Sequence, residues 1–203
     1  MRRTVPLLPA VVFGLALVVL AVGVTDWWND RPPSPNAADI GFYDDMTTHH
    51  FQAIAMARTY MRYGSNDDLR SRAEEIDLAQ SGDIRVMQEA LVSWDEIGTP
   101  DTAMEWMGEG VDPNQMPGLA TPAEMAALSA ARGVELDDLF TRLMIEHHGG
   151  GAAMGDAAAE LAGLSEVRET ARLMAKGQRR EIDELNKVRQ AFGFDLVEPD
   201  SGH

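Results

Sequence analysis

The chain has 203 residues, of which 45% are hydrophobic, enough for one packed domain with an appended segment. Its formal net charge of -16 leaves no basic patch to neutralise phosphates, which argues against nucleic acid as a partner. Because the chain contains no cysteine, disulfides, zinc fingers, iron–sulfur clusters, thiol nucleophiles and covalently attached haem are excluded.

The first predicted element is an apolar segment, residues 5–24, which carries no charge and matches the thickness of a bilayer core. Two arginines precede it and two aspartates follow it. The positive-inside rule then places the N-terminus in the cytoplasm and the rest of the chain outside. We therefore expect residues 1–28 to be a single-pass signal anchor in the cell membrane. A cleaved signal peptide is the alternative, although its apolar region is normally shorter.

A proline-rich spacer, residues 29–37, leads from this segment to the predicted domain. Stop signals at glycines and capping residues predict helices over about 39–63, 66–94, 122–132, 136–161 and 165–192. No strand pattern is found, so the fold class is all-α. The four long helices predict a four-helix bundle over residues 38–193, with a long connection at 95–133 and a tail at 194–203.

The two long hairpins are an internal repeat, because matching residues lie 98 positions apart. On the first helix of each hairpin, Met46, His49, His50 and Met56 correspond to Met144, His147, His148 and Met154. On the second, Gln80 and Asp83 correspond to Gln178 and Glu181. If the connection crosses over as in ferritin-like bundles, the two histidine-bearing helices are antiparallel; an up-down-up-down order would make them parallel. We favour the crossover.

The repeated histidines and methionines are candidate metal ligands. Helical spacing places each set on one inward-facing stripe. Imidazole with thioether is a soft to borderline donor set, which favours copper, as Cu(I) or Cu(II). Core packing without a metal is the alternative. A di-iron site is rejected because the chain has no Glu-x-x-His motif. The predicted ligands are His49, His50, His147, His148, Met46, Met56, Met144 and Met154.

Four polar residues of the second and fourth long helices, Gln80, Asp83, Gln178 and Glu181, are predicted to orient the imidazoles by hydrogen bonds. Their alternative role is as polar positions at a helix–helix seam. Three methionines of the long connection, Met104, Met107 and Met116, either form an exposed thioether loop that transfers Cu(I), or anchor the loop on the core.

No nucleophile, base and oxyanion donor come together in the sequence, so we expect a binding protein rather than an enzyme. A redox role for the bound metal stays open. The first hypothesis is therefore a membrane-anchored, extracytoplasmic copper buffer or chaperone. The second is a structural or interaction subunit that has no metal role and docks on a membrane protein complex of the cell envelope, or on another copy of itself.

The chain also resembles a bacterial family, domain of unknown function 305. The resemblance rests on FYDDMTTHHFQAIAM, AQ-x-x-D-I, MPG with TPAEMAAL, and LFTRLMIEHHGGGAAM, over roughly residues 38–193. It implies an extracytoplasmic ferritin-like bundle, and copper binding and tolerance in some members. The sequence departs from the family pattern at the glycines 149–151. This departure predicts either an irregular helix after His148, or a very close helix approach or motion at the site.

Overall fold

The computed structural model describes residues 33–96 and 101–199. The helices within these ranges are α1 (Ala37–Tyr63), α2 (Asp67–Ser93), α3 (Pro122–Ala130), α4 (Val134–Leu161) and α5 (Ser165–Phe192). Two single 3-10 turns, Glu105–Met107 and Pro113–Gln115, lie in the connection after α2. The described residues contain no strand, only an isolated antiparallel bridge between Ala103 and Val111. The all-α prediction is confirmed.

The predicted membrane anchor, residues 1–28, lies outside the described ranges. Among the helices inside those ranges, none is long and apolar enough to cross a membrane.

The helix ends follow from local sequence. Asn36 and Thr121 each form a capping box, with Asp39 and Glu124 respectively, and Asn66 caps α2 through its side chain. Gly64 ends α1 as predicted, in an extended conformation with φ of -69°. A Cβ at this position would meet the Tyr60 ring at 2.4 Å, so glycine is required here for space.

Two antiparallel hairpins, α1–α2 and α4–α5, pack together through α1 and α4. The start of α1 meets the end of α4, where Asn36 Nδ2 donates to the carbonyl of Leu161 at 3.1 Å. The end of α1 meets the start of α4, where the Tyr60 hydroxyl donates to Asp137 at 2.5 Å. These contacts make α1 and α4 antiparallel, which is the crossover topology expected of a ferritin-like bundle.

The centre of the α1–α4 contact is the histidine pair. In two antiparallel helices related by a two-fold axis, the residue that touches its own repeat counterpart lies on that axis. His49 does so, since its ring centroid lies 3.8 Å from that of His147. The pseudo-two-fold axis of the repeat therefore passes between these rings.

The apolar core is divided into two clusters along the bundle. One contains Met46 of α1 and Met154 of α4, and the other contains Met56 and Met144. Along both helices the histidines fall between the two methionines. The core is thus two methionine-containing clusters separated by a layer formed by His49, His50, His147 and His148, called the histidine layer below.

Candidate metal centre

The histidine layer is buried: each of its four residues is between 0% and 1% exposed. Buried imidazoles need a partner for each ring nitrogen, because an unpaired polar atom away from water is unfavourable. The partners of the two nitrogens of each ring therefore decide what the layer can bind.

His49 and His147, which lie at the pseudo-two-fold axis, are called the axial histidines. The Nε2 atom of each faces a backbone carbonyl. His49 Nε2 lies 3.1 Å from the carbonyl of Pro117, and His147 Nε2 lies 2.9 Å from the carbonyl of His49. A carbonyl only accepts hydrogen bonds, so both Nε2 atoms donate. In a neutral ring this leaves the Nδ1 atom with a free lone pair.

The other two histidines of the layer, His50 and His148, face carboxylates. His50 Nε2 lies 3.5 Å from Asp83 of α2, and His148 Nε2 lies 2.6 Å from Glu181 of α5. The His148 contact is short in distance but is not aligned as a hydrogen bond. The structure thus places both predicted carboxylates beside the imidazoles, at matching positions of the repeat.

The Nδ1 atoms of all four histidines are buried and have no hydrogen-bond partner among the described residues. Four buried nitrogen atoms without partners on one layer are unfavourable in a purely structural core. Imidazole nitrogens whose opposite nitrogen is fixed by an acceptor are typical metal ligands. The donor set therefore fits a soft or borderline metal ion.

Burial also keeps these rings in the protonation state that binds metal. Desolvation and the neighbouring His50 lower the pKa of His49 to about 3. Desolvation and the neighbouring His49 hold the pKa of His147 well below its usual value. Desolvation lowers the pKa of His50 too, although Asp83 opposes the shift. The axial rings are neutral at pH 7, and metal binding needs no proton release from them.

The four candidate methionines are fully buried, but they do not converge on one point. They form two pairs, Met46 with Met154 and Met56 with Met144, one in each core cluster. Within the described ranges, no three His, Asp or Glu side chains come close enough together to hold one ion. The candidate donors are therefore arranged as a layer of imidazoles with two buried methionines on each side.

The two glutamines predicted to orient the imidazoles are buried in the described structure. No described hydrogen bond joins Gln80 or Gln178 to a histidine, and each is at most 5% exposed. The Oε1 atoms of both and the Nε2 atom of Gln178 have no partner in the described structure. Both line a groove between α2 and α5, which agrees with their alternative role as polar positions at a helix–helix seam.

The methionines of the long connection are placed on the core. Met104 and Met116 are 3% and 2% exposed, in the cluster that contains Met46, and Met107 packs against its edge. Asp45 fixes this part of the chain by accepting from the backbone N–H of Met104 at 2.8 Å and from Trp106 Nε1 at 2.7 Å. The described structure is that of an anchored loop, not an exposed one.

Sequence reasoning missed the contribution of Pro117 and Gly118. Gly118 has φ of +81°, and a Cβ there would lie 2.6 Å from the carbonyl oxygen of Glu146. The backbone of this turn therefore packs directly on α4. The Pro117 carbonyl in the same turn accepts a hydrogen bond from His49 of α1. The MPG motif at residues 116–118 is the sequence feature that marks this turn.

The three glycines after His148 are explained by three close approaches, and α4 runs through them without a break. A Cβ at Gly149 would lie 2.3 Å from Pro199, one at Gly150 would lie 1.9 Å from the Pro117 carbonyl oxygen, and one at Gly151 would lie 2.2 Å from Gln178. The expectation of an irregular helix is wrong, and the close-approach alternative is what the structure shows.

Comparison with known proteins now gives the family. The family model "Domain of unknown function (DUF305)" matches residues 39–189. No curated protein sequence matches the chain. A DUF305 protein from Streptomyces coelicolor is 31% identical, with a TM-score of 0.73 over 79% of this chain and 97% of that one. A DUF305 fragment from Deinococcus radiodurans is 30% identical, with a TM-score of 0.67 over 78% of this chain and 99% of the fragment.

A third solved structure, that of CopM in a Cu(I)-bound form, shares the fold. It is 24% identical, with a TM-score of 0.61 over 76% of this chain and 96% of CopM. CopM has also been solved in Cu(II)-bound and silver-bound forms. The family match, the two DUF305 structures and the repeated His-His helices agree: this chain belongs to the DUF305 family.

Proposed function

We propose that this protein is an extracytoplasmic copper-binding protein, anchored in the cell membrane, that buffers or delivers the ion. The single observation that carries the proposal is the set of four buried Nδ1 atoms without partners in the histidine layer. Their opposite nitrogens face carbonyls or carboxylates, so the free lone pairs are directed into the protein.

Copper is favoured over other metals by the chemistry of the donors. Zinc sites in proteins usually add cysteine or carboxylate ligands, and magnesium and calcium require oxygen. Thioethers flanking imidazoles suit Cu(I), while the imidazoles also accept Cu(II). The fold shared with CopM, which has been solved with Cu(I), Cu(II) and silver, supports this choice.

The protein's own residues would hold the ion and exclude water from it. Backbone carbonyls fix the tautomer of His49 and His147, and the carboxylates of Asp83 and Glu181 lie beside His50 and His148. The buried methionines would supply the soft ligands on either side of the layer. Such a site stores or transfers an ion and needs no catalytic group.

The membrane placement is proposed from residues 5–24, an uncharged stretch long enough to span a bilayer. The formal charge of -16 supports a role in cation capture, because an acidic surface raises the local concentration of cations.

Anaerobic titration of the full-length chain in detergent with Cu(I), against a competing chelator, tests the proposal. The wild type should bind Cu(I) saturably. A variant with His49, His50, His147 and His148 all changed to Ala should lose that binding. His203→Ala is the matched control, and it should bind like the wild type. Equal binding by the wild type and by the folded four-histidine variant would refute the copper role.

A further inference from the structure

The open side of the bundle is a groove between α2 and α5, with a volume of about 420 Å³. Each of these helices packs mainly on its own hairpin partner, which leaves the groove between them. Its lining includes His50 of the histidine layer, together with residues from both hairpins.

Two glutamines with unpartnered amides lie at the base of the groove. Gln80 is 4% exposed and Gln178 is 5% exposed. The Oε1 atoms of both lack a hydrogen-bond partner among the described residues, and so does Nε2 of Gln178. A buried amide without a partner is unfavourable, so these atoms fit a polar species held in the groove.

Two carboxylates stand closer to solvent on the same walls. The side chain of Asp83 is 41% exposed and that of Glu181 is 24% exposed. Arg180 also lines the groove, but its side chain is 71% exposed and pairs with Glu184 at 3.6 Å. The groove therefore presents four amide and carboxylate side chains, two from each hairpin, next to His50 of the histidine layer.

We propose that the groove is an outer cation subsite that takes hydrated divalent ions, Cu(II) among them, and passes them to the histidine layer. Amide and carboxylate oxygens are the ligands of hydrated divalent cations, whereas thioethers select soft ions. The assignment of Cu(II) as the delivered ion rests on the proposed copper function. A soft monovalent ion such as Ag(I) gains little from these oxygens.

Filling the groove tests the route. A Cβ at Gly177, in the wall formed by α5, meets no atom within 4 Å, so Gly177→Phe fills the groove without a backbone clash. Gly82→Phe is the matched control, because Gly82 is equally open and does not line the groove. In stopped-flow tryptophan quenching by Cu(II), we expect Gly177→Phe to slow association about tenfold, and Gly82→Phe to stay within about twofold of the wild type.

Val86→Phe fills the same groove from α2 and should slow association similarly, which guards against a folding defect in a single variant. Thermal melts of every variant verify the fold.

Replacing the amides tests the subsite itself. Gln80→Leu with Gln178→Leu removes the oxygens at similar volume. It should slow Cu(II) association about tenfold and leave Ag(I) association within about twofold. Equal effects on both ions would overturn the subsite, and so would unslowed Cu(II) association in the groove-filling variants while the wild type still binds copper. A wild type without saturable copper binding would refute the proposed function and the delivery of copper together.

Discussion

Alanine at position 150 is expected to destabilise the protein by about 1–3 kcal/mol, although alanine normally stabilises a helix interior. The added Cβ would lie 1.9 Å from the Pro117 carbonyl oxygen, and this neighbour is backbone, which cannot rotate away. The turn at Pro117 must shift, which weakens the hydrogen bond from His49 Nε2. The loss outweighs the roughly 1 kcal/mol that alanine gains over glycine in a helix.

Gly82→Ala and Gly177→Ala are the controls, because a Cβ at either position meets no atom within 4 Å. Both should stabilise the protein by up to about 1 kcal/mol. Urea unfolding followed by circular dichroism measures all three changes. A Gly150→Ala protein as stable as the two controls would contradict the direct packing of the Pro117 turn on α4.

Acidification from pH 7 to pH 5 is expected to cost about 2 kcal/mol of stability through His49, and His147 adds to this loss in the same direction. Burial lowers the pKa of His49 to about 3 and holds that of His147 well below its usual value of 6.5. At pH values below the unfolded histidine pKa of 6.5 and above the folded pKa values, the unfolded chain binds more protons than the folded one. Stability therefore falls as pH falls through this window and is level above it.

Asp44 acts in the opposite direction. Burial and the neighbouring Asp45 raise its pKa to about 6, so its protonation on acidification favours the folded state. The histidine contribution is therefore measured as a difference. Urea unfolding at pH 7 and pH 5 is compared between the wild type and a variant with His49→Leu and His147→Leu. The variant should lose at least about 2 kcal/mol less than the wild type on acidification. Identical pH dependence would mean that the rings are not buried in their neutral form.

Much of the fold was predictable because local signals and a repeat agreed. The capping box at Thr121 and the cap at Asn66 begin helices where expected. The constant spacing of 98 residues paired the hairpins, and the length of the connection favoured the crossover that the contacts of Asn36 and Tyr60 confirm. The end of α1 at Gly64 was predicted too, whereas the Tyr60 ring that requires glycine there is seen only in the structure.

The candidate ligands were predictable from periodicity, whereas their environment was not. Helical spacing directed the histidines inward, and the structure buries all four. It could not show that the Pro117 carbonyl accepts from His49, because that contact joins residues 68 positions apart through an irregular turn. Helical spacing also did not distinguish the surroundings of Asp83 from those of Gln80. Asp83 lies beside the His50 imidazole, whereas Gln80 lies at the base of the groove.

The glycines at 149–151 show why a local rule failed. Helix propensity alone treats three consecutive glycines as a weak point. In the folded chain each one admits a different neighbour, from the C-terminal segment, the connection and α5 in turn. These neighbours are distant in sequence, so only the tertiary structure assigns the glycines their role.

The central claim, that the Nδ1 atoms of the histidine layer are free to bind metal, is tested most directly by nitrogen NMR of the imidazole rings. At pH 7, long-range ¹H–¹⁵N spectra of the metal-free protein should show His49 and His147 protonated at Nε2 and bare at Nδ1. Addition of Ag(I) should then shift the Nδ1 signals of these two rings. Protonated Nδ1 atoms in the metal-free protein, or silver-induced shifts confined to His203, would contradict the account.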